Sequence, residues 1–202
     1  SNNRLDVFDS SGASVQSNIT TNCNWTTAQL FELNYAQFGD TVFITHRDNP
    51  IVKIIRTSAS SFSVSLFEFE EDETVTVGGA NKTTQTFYKY ADSTISVTLS
   101  SHATGTGRTL TASSATFTSA YVGTYLLVNS KQVKVTGFTS TTELTVTVIE
   151  DTVSTGPHFV WAEQLISSIH GYPQAVTFHD NRLYFGGIKD KPAAVIGSKV
   201  AE

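Results

Sequence analysis

The sequence holds no methionine, a single cysteine (Cys23), four prolines and little charge: 15% of its 202 residues are Asp, Glu, Lys or Arg, against roughly 25% in an ordinary soluble domain. One cysteine excludes an intrachain disulfide and any cysteine-based zinc site. No apolar run approaches the roughly 20 residues of a membrane helix; stretches such as Tyr125–Val128 are the longest. The start, Ser1-Asn2-Asn3-Arg4, is polar with no apolar run behind it, so no signal peptide is expected. Without an initiator methionine, the sequence reads as an excised or processed piece of a longer protein, soluble on its own. Thirteen basic residues against eighteen acidic ones give a net charge of −5, which is no footprint for tightly held nucleic acid.

Hydroxyls stand where charge is missing. There are 30 Thr and 23 Ser, and β-branched Thr suits a pleated, half-solvated surface, so the composition is that of an all-β chain. A hydrophobic content of 39% and an aromatic content of 11% exclude a disordered hydroxyl-rich tract.

Short alternating segments separated by turn residues fill the chain. Arg4–Phe8 reads as a strand closed by Asp9-Ser10-Ser11-Gly12, and Thr26 or Thr27 caps a short helical turn through Leu33. From Asn34 to Phe69 the pattern predicts four strands joined by tight turns, at Gly39-Asp40, at Arg47-Asp48-Asn49-Pro50 and at Ser58–Ser61. Val42 and Ile44, Ile54 and Val52, and Phe62, Val64 and Leu66 alternate with their neighbours. That is the size of one propeller blade or of a small antiparallel meander. The acidic run Glu68–Glu73 marks a boundary. Residues 74–156 are richer in Thr, Ser and Gly, with strands expected at Thr83–Tyr90, Thr94–Leu99, Arg108–Ala112, Thr124–Val128, Gln132–Thr136 and Glu143–Ile149. After a linker at Gly156-Pro157 the first style returns. Ala175–Phe178 and Arg182–Phe185 flank Asp180-Asn181, a pair suited to a primed two-residue turn. The expected organisation is therefore 1–73 and 157–202 as propeller-blade-like antiparallel hairpins, interrupted by 74–156, a small inserted module of β-barrel or sandwich type.

Candidate chemistry is sparse. His170 and His179, with Asp180 adjacent, suggest a metal or acid-base pair, but no H-x-x-x-H or H-x-H spacing occurs and a structural role is the better reading. Gly105-Thr106-Gly107-Arg108 lacks the third glycine, the helix and the Lys-Ser/Thr of a phosphate loop and reads as a hairpin turn. The carboxylates of Glu68–Glu73 alternate between faces, so they read as a solvated junction rather than a Ca²⁺ loop. Only Glu68/Glu70 or Glu71/Glu73 could share a cleft as a glycosidase pair. Three Asn-x-Thr sequons, at Asn18, Asn24 and Asn81, are what a Thr- and Ser-rich composition produces by chance. No cofactor and no catalytic or metal-binding residue is expected. A carbohydrate- or cell-surface-binding module is an alternative reading, on Trp25, Tyr88, Tyr90, Tyr121 and Tyr125 as exposed platforms.

Two sets of residues resemble a known family. Tyr35-x-Gln37-x-Gly39-Asp40, Phe43-Ile44-x-His46-x-Asp48-x-Pro50 and Ile54-x-Arg56-Thr57 form the first. Gly171-Tyr172-Pro173-x-Ala175-Val176-x-Phe178, Asn181-Arg182-Leu183-x-Phe185-Gly186-Gly187 and Ile196-x-Ser198 form the second. Both resemble the tail tubular protein B, or nozzle, family of short-tailed bacteriophages. The middle module, with Thr109–Ser113, Phe117-Thr118, Val122-Gly123 and Thr136–Thr142, is similar to a β-barrel-like insert of phage tail proteins. The resemblance implies a non-enzymatic tail component, located in the virion and working as a homo-oligomer, a hexameric ring in the full-length family member. It also implies a propeller in each subunit, other tail proteins as partners and DNA passing along the axis without specific binding. It singles out Gly39, Asp40, Pro50, Arg56, Tyr172, Pro173, Phe178, Arg182, Leu183, Phe185 and Ser198 as structural motif residues, and it carries no catalytic residue.

Overall fold

The alternation of branched, aromatic and hydroxyl side chains folds into eighteen strands, all paired antiparallel, in a computed structural model that describes residues 2–199. The chain divides into two compact units. One takes the chain up to Glu68 and again from His170; the other is Phe69–Ile169. The middle unit is thus larger than 74–156. Its borders fall where strand partners change rather than where composition does.

The first unit begins with a ribbon of β1 (Leu5–Phe8) and β2 (Ser14–Ile19). Its turn is built by Asp9, whose Oδ1 accepts from the Ser11 and Ala13 N–H groups at 2.8 and 2.9 Å. The expected helical stretch is a 3-10 turn, Thr27–Glu32, where the Thr26 N–H donates to Gln29 Oε1 at 2.8 Å. A four-stranded meander follows, in the order β3 (Asn34–Phe38), β4 (Thr41–His46), β5 (Asn49–Ser58), β6 (Ser61–Leu66). Val42, Ile44, Val52, Ile54, Phe62, Val64 and Leu66 point to one face, where they close over buried Cys23 and Trp25. The turn expected at 47–50 is tighter: Pro50 lies inside β5. The register shift between the Ile44↔Val52 and His46↔Asn49 pairs gives it a bulge, where a missing N–H costs no ladder bond.

In the middle unit, β7 (Glu71–Val77) and β8 (Ala80–Thr83) form a ribbon, so much of the acidic run is strand rather than junction. The main sheet comprises β9 (Phe87–Tyr88), β10 (Val97–Leu99), β11 (Gly105–Ala112), β12 (Tyr125–Val128), β13 (Lys131–Ser140), β14 (Glu143–Val148) and β15 (Trp161–Gln164). Their order is β10-β11-β14-β13-β12-β15-β9. Strand β15 belongs to this sheet and not to a returning blade. The Asn129-Ser130 turn between β12 and β13 has both residues at positive φ, 51° and 66°. Val97, Leu110, Leu126, Val133, Leu144, Val146 and Val148 are 0% exposed, each worth about 1.5–3 kcal/mol of burial. The sheet is open, with β10 and β9 at its ends. Gly156-Pro157 is no linker between units. Val97 and His158 exchange N–H···O bonds of 2.9 and 2.8 Å, and Leu99 N–H reaches Thr155 O at 2.7 Å, so this stretch lines the β10 edge. Gly105-Thr106-Gly107-Arg108 is likewise strand rather than turn: it opens β11 through a bulge opposite β14.

The chain re-enters the first unit as a second meander, β16 (Pro173–His179), β17 (Arg182–Ile188) and β18 (Lys191–Gly197). Asp180 and Asn181 take φ of 47° and 56°, the primed turn their side chains favour.

Candidate functional site

The two meanders of the first unit meet on phenylalanines. Strand alternation puts Phe43 on the face of β4 opposite Val42 and Ile44, and Phe178 and Phe185 on one face of the β16–β17 pair. Phe43 lies 6.0 Å from Phe178, 6.4 Å from Phe185 and 5.9 Å from Phe67. Phe38–Phe178 and Phe67–Phe185 are 5.3 Å apart. The edge-on and tilted geometries suit ring quadrupoles and add about 0.5–1.5 kcal/mol per pair beyond burial. Thr45 Oγ1 donates to Gln174 O at 3.0 Å, and Gln174 Nε2 donates to Glu32 O.

A polar corner closes one end of this seam. Buried His46 accepts at Nδ1 from the Asp48 N–H (3.1 Å) and contacts Asn49 Nδ2 there (3.2 Å). The proton therefore sits on Nε2, which donates to Glu32 Oε2 at 3.2 Å. Lys189 Nζ donates to Asp48 Oδ1 at 2.6 Å, and this bond, first among its causes, holds the Asp48 carboxyl below the ordinary range. The Tyr172 N–H donates to Arg47 O at 2.9 Å, and burial raises the Tyr172 hydroxyl. His170 Nδ1 lies 3.0 Å from Asp190 Oδ2, whereas His179 is exposed beside Asp180 at 3.2 Å. The two histidines take different carboxylates. Among the described residues no three His, Cys, Asp or Glu side chains gather as a metal site.

At the other end of the four-stranded meander lies a cleft of about 470 Å³ between the sheet and the β1–β2 ribbon. Val15, Val42, Ile54 and Phe62 make its floor, and Asp9, Ser10, Gln37, Asp40 and Arg56 its rim, with Phe8 on the wall. Gly39, at φ +55°, makes the β3–β4 turn that brings Asp40 there, and the Arg56 N–H donates to Asp40 O at 2.9 Å. Gln16 fixes the ribbon to the sheet: it accepts from the Phe62 N–H at 2.7 Å and donates to Phe62 O at 3.4 Å. Asn22 Nδ2 reaches Val64 O at 3.3 Å. The outer edge of β6 is covered by side-chain amides in place of another strand.

Seven of the eleven motif residues fall into three places. Gly39, Asp40 and Arg56 frame the cleft; Tyr172 and Pro173 lie at the polar corner; Phe178 and Phe185 are in the aromatic seam. Pro50 sits in the β5 bulge, Leu183 is buried in β17, and Arg182 is exposed at the β16–β17 turn. Ser198 latches the second meander: its Oγ accepts from the Leu183 N–H at 3.0 Å, while its own N–H donates to Leu183 O at 2.8 Å. Phe8, Gln16 and Phe62 were not singled out from sequence, and their signal was weak: only the Phe62 alternation was visible.

Three of the five aromatics expected as exposed platforms are core residues instead. Trp25, Tyr121 and Tyr125 are 3%, 4% and 7% exposed. Tyr121 donates its hydroxyl to buried Glu163 at 3.0 Å, and burial, reinforced by that carboxylate, pushes its ionisation far up. Tyr88, half exposed, packs edge-on against Tyr90 at 4.9 Å. No protein-family model matches the chain, and no curated protein matches it.

Proposed function

We propose that the chain is a non-enzymatic structural segment of the tail of a short-tailed bacteriophage, part of the conduit through which DNA leaves the particle. The observation that supports this most is the aromatic seam. Two antiparallel meanders, separated in sequence by Phe69–Ile169, face each other across Phe38, Phe43, Phe67, Phe178 and Phe185. Neighbouring blades of a propeller pack in this way. In this reading the blades belong to a propeller in each subunit, subunits assemble as a homo-oligomeric ring with other tail proteins, and the site of action is the virion. A net charge of −5 suits a conduit that lets phosphates slide rather than holding them. No helix of the described residues is long and apolar enough to cross a membrane. The reading is tested by the genes beside this one and by the mass of the full gene product in solution. Portal, capsid and tail-adaptor genes together with a closed ring support it; polysaccharide-utilisation genes beside a monomer overturn it.

A further inference from the structure

The cleft beside the β1–β2 ribbon has the chemistry of a ligand site that the tail reading does not use. Its volume of about 470 Å³ lies within the usual range of small-molecule pockets. Its floor is apolar, but its rim carries two carboxylates, Asp9 and Asp40, and one guanidinium, Arg56, and Asp40 and Arg56 form no ion pair with each other. Among the described residues the Asp40 carboxylate takes no hydrogen bond, and the Arg56 guanidinium donates only to Ser58 O, at 3.2 Å through Nε. Both Nη groups of Arg56 are therefore unspent. Gln37 uses Nε2 on Gly39 O at 3.0 Å, which leaves its Oε1 as an acceptor. Asp9, by contrast, is committed to its own turn. Phe8, the last residue of β1, is 59% exposed on the wall.

Planar polar groups of both signs over an apolar floor, with a free aromatic ring alongside, select among ligands. A polyanion is opposed by Asp40, and an aliphatic chain would strip water from Asp40 and Arg56 without replacing it. A sugar ring satisfies all parts at once. Vicinal hydroxyls donate in pairs to a carboxylate and accept in pairs from a guanidinium fork, while the C–H face of the ring covers the phenyl and the aliphatic floor. We propose that this cleft binds a short saccharide through Phe8, Asp40 and Arg56. Gln16 joins its two walls through both Phe62 backbone groups, and the Arg56 N–H···O=C Asp40 bond holds the backbones that carry the two charges side by side.

The site stands on the geometry of the cleft alone, so it and the tail assignment can fail separately. The test is a glycan array of neutral and acidic mono- to tetrasaccharides probed with the labelled full chain, followed by calorimetric titration of the best-bound saccharide. Phe8→Ala, Asp40→Asn and Arg56→Met alter exposed side chains that carry no core packing, and thermal melts confirm their folding. Each is expected to weaken binding at least about tenfold. Phe31→Ala, at a residue 94% exposed and outside the cleft, leaves binding unchanged. A blank array at millimolar saccharide overturns the proposal. So does a saccharide whose affinity is the same in all three cleft variants.

Discussion

Gly171 occupies a position where a β-carbon has no room. Its φ is +81°, and an added Cβ would stand 2.5 Å from Lys189 Cβ and 2.9 Å from Arg47 O. The second neighbour is backbone that the Tyr172–Arg47 bond holds in place. Gly12 has a similar φ of +84° but nothing within 4 Å of the added atom. The two glycines separate backbone strain from steric conflict. Gly12→Ala is expected to cost about 1–2 kcal/mol, and Gly171→Ala about 2–4 kcal/mol because overpacking adds to the strain. Urea unfolding midpoints of the two variants measure the difference, and equal losses would show that the corner relaxes freely. Gly171 was visible in the sequence as one member of a motif, but nothing in the sequence marks it as different in kind from Gly12. The difference lies in Arg47 and Lys189, which are distant along the chain.

Glutamine side chains recur between elements as substitutes for a peptide group. Gln16 serves β6 in this way, and in the middle unit Gln132 does the same for β8: its Oε1 accepts from the Thr83 N–H at 2.9 Å and its Nε2 donates to Thr83 O. Gln132→Leu keeps the volume and removes both bonds, leaving two buried backbone groups unpaired at about 1–3 kcal/mol each. The expected readout is amide exchange at Thr83 accelerated relative to Val133, with the β13–β14 ladder unchanged. The same strand is held by charge. Glu150 accepts from Lys82 Nζ at 3.0 Å and from the Gln132 N–H at 3.2 Å, with Lys131 at 3.8 Å. Burial alone would raise the Glu150 carboxyl, but these bonds outweigh it and hold it below its ordinary value. The stabilisation is therefore present above the ordinary carboxylate range, near pH ~4.3, and is lost as pH falls through the lower folded value. In Lys82→Met the folded carboxyl moves back toward its ordinary value, so this unit should be less stable at neutral pH and lose less of its stability on acidification than the unmodified chain, as acid titrations followed by fluorescence would show. Period-two alternation made β4, β5 and β6 legible because Val42, Ile44, Val52, Ile54, Phe62, Val64 and Leu66 recur at every second position and share one face. It could not reveal the amide links, since Gln132 and Thr83 are 49 residues apart. It also could not orient Tyr121 and Tyr125 among threonines that suit either face. The Gly156-Pro157 break was read as a border for lack of one fact, the pairing of His158 with Val97.

At the scale of the molecule there are separate cores. One gathers Val97, Leu110, Val133, Leu144 and Val146 in the middle unit, and another closes over Cys23 and Trp25 in the first. Leu144, 0% exposed on a central strand, should cost about 2–5 kcal/mol when cut to alanine. That loss is expected in the amide exchange of β11, β13 and β14 and not in that of β4 or β17, because mutations without shared partners act independently. Faster exchange in both sets would mean the chain unfolds as one block. Composition showed the split but misplaced its borders, because β7 and β15 carry the charge and aromatics of the flanking style while pairing with the middle. The aromatic seam also sets an order in time. On a ribosome adding ~5–20 residues per second, Phe38, Phe43 and Phe67 emerge first, and all of Phe69–Ile169 must be synthesised before Phe178 and Phe185 arrive to cover them. The contiguous middle unit can fold while the first four-stranded sheet waits, for several seconds, with its phenylalanine face open to chaperones or to a neighbouring nascent chain.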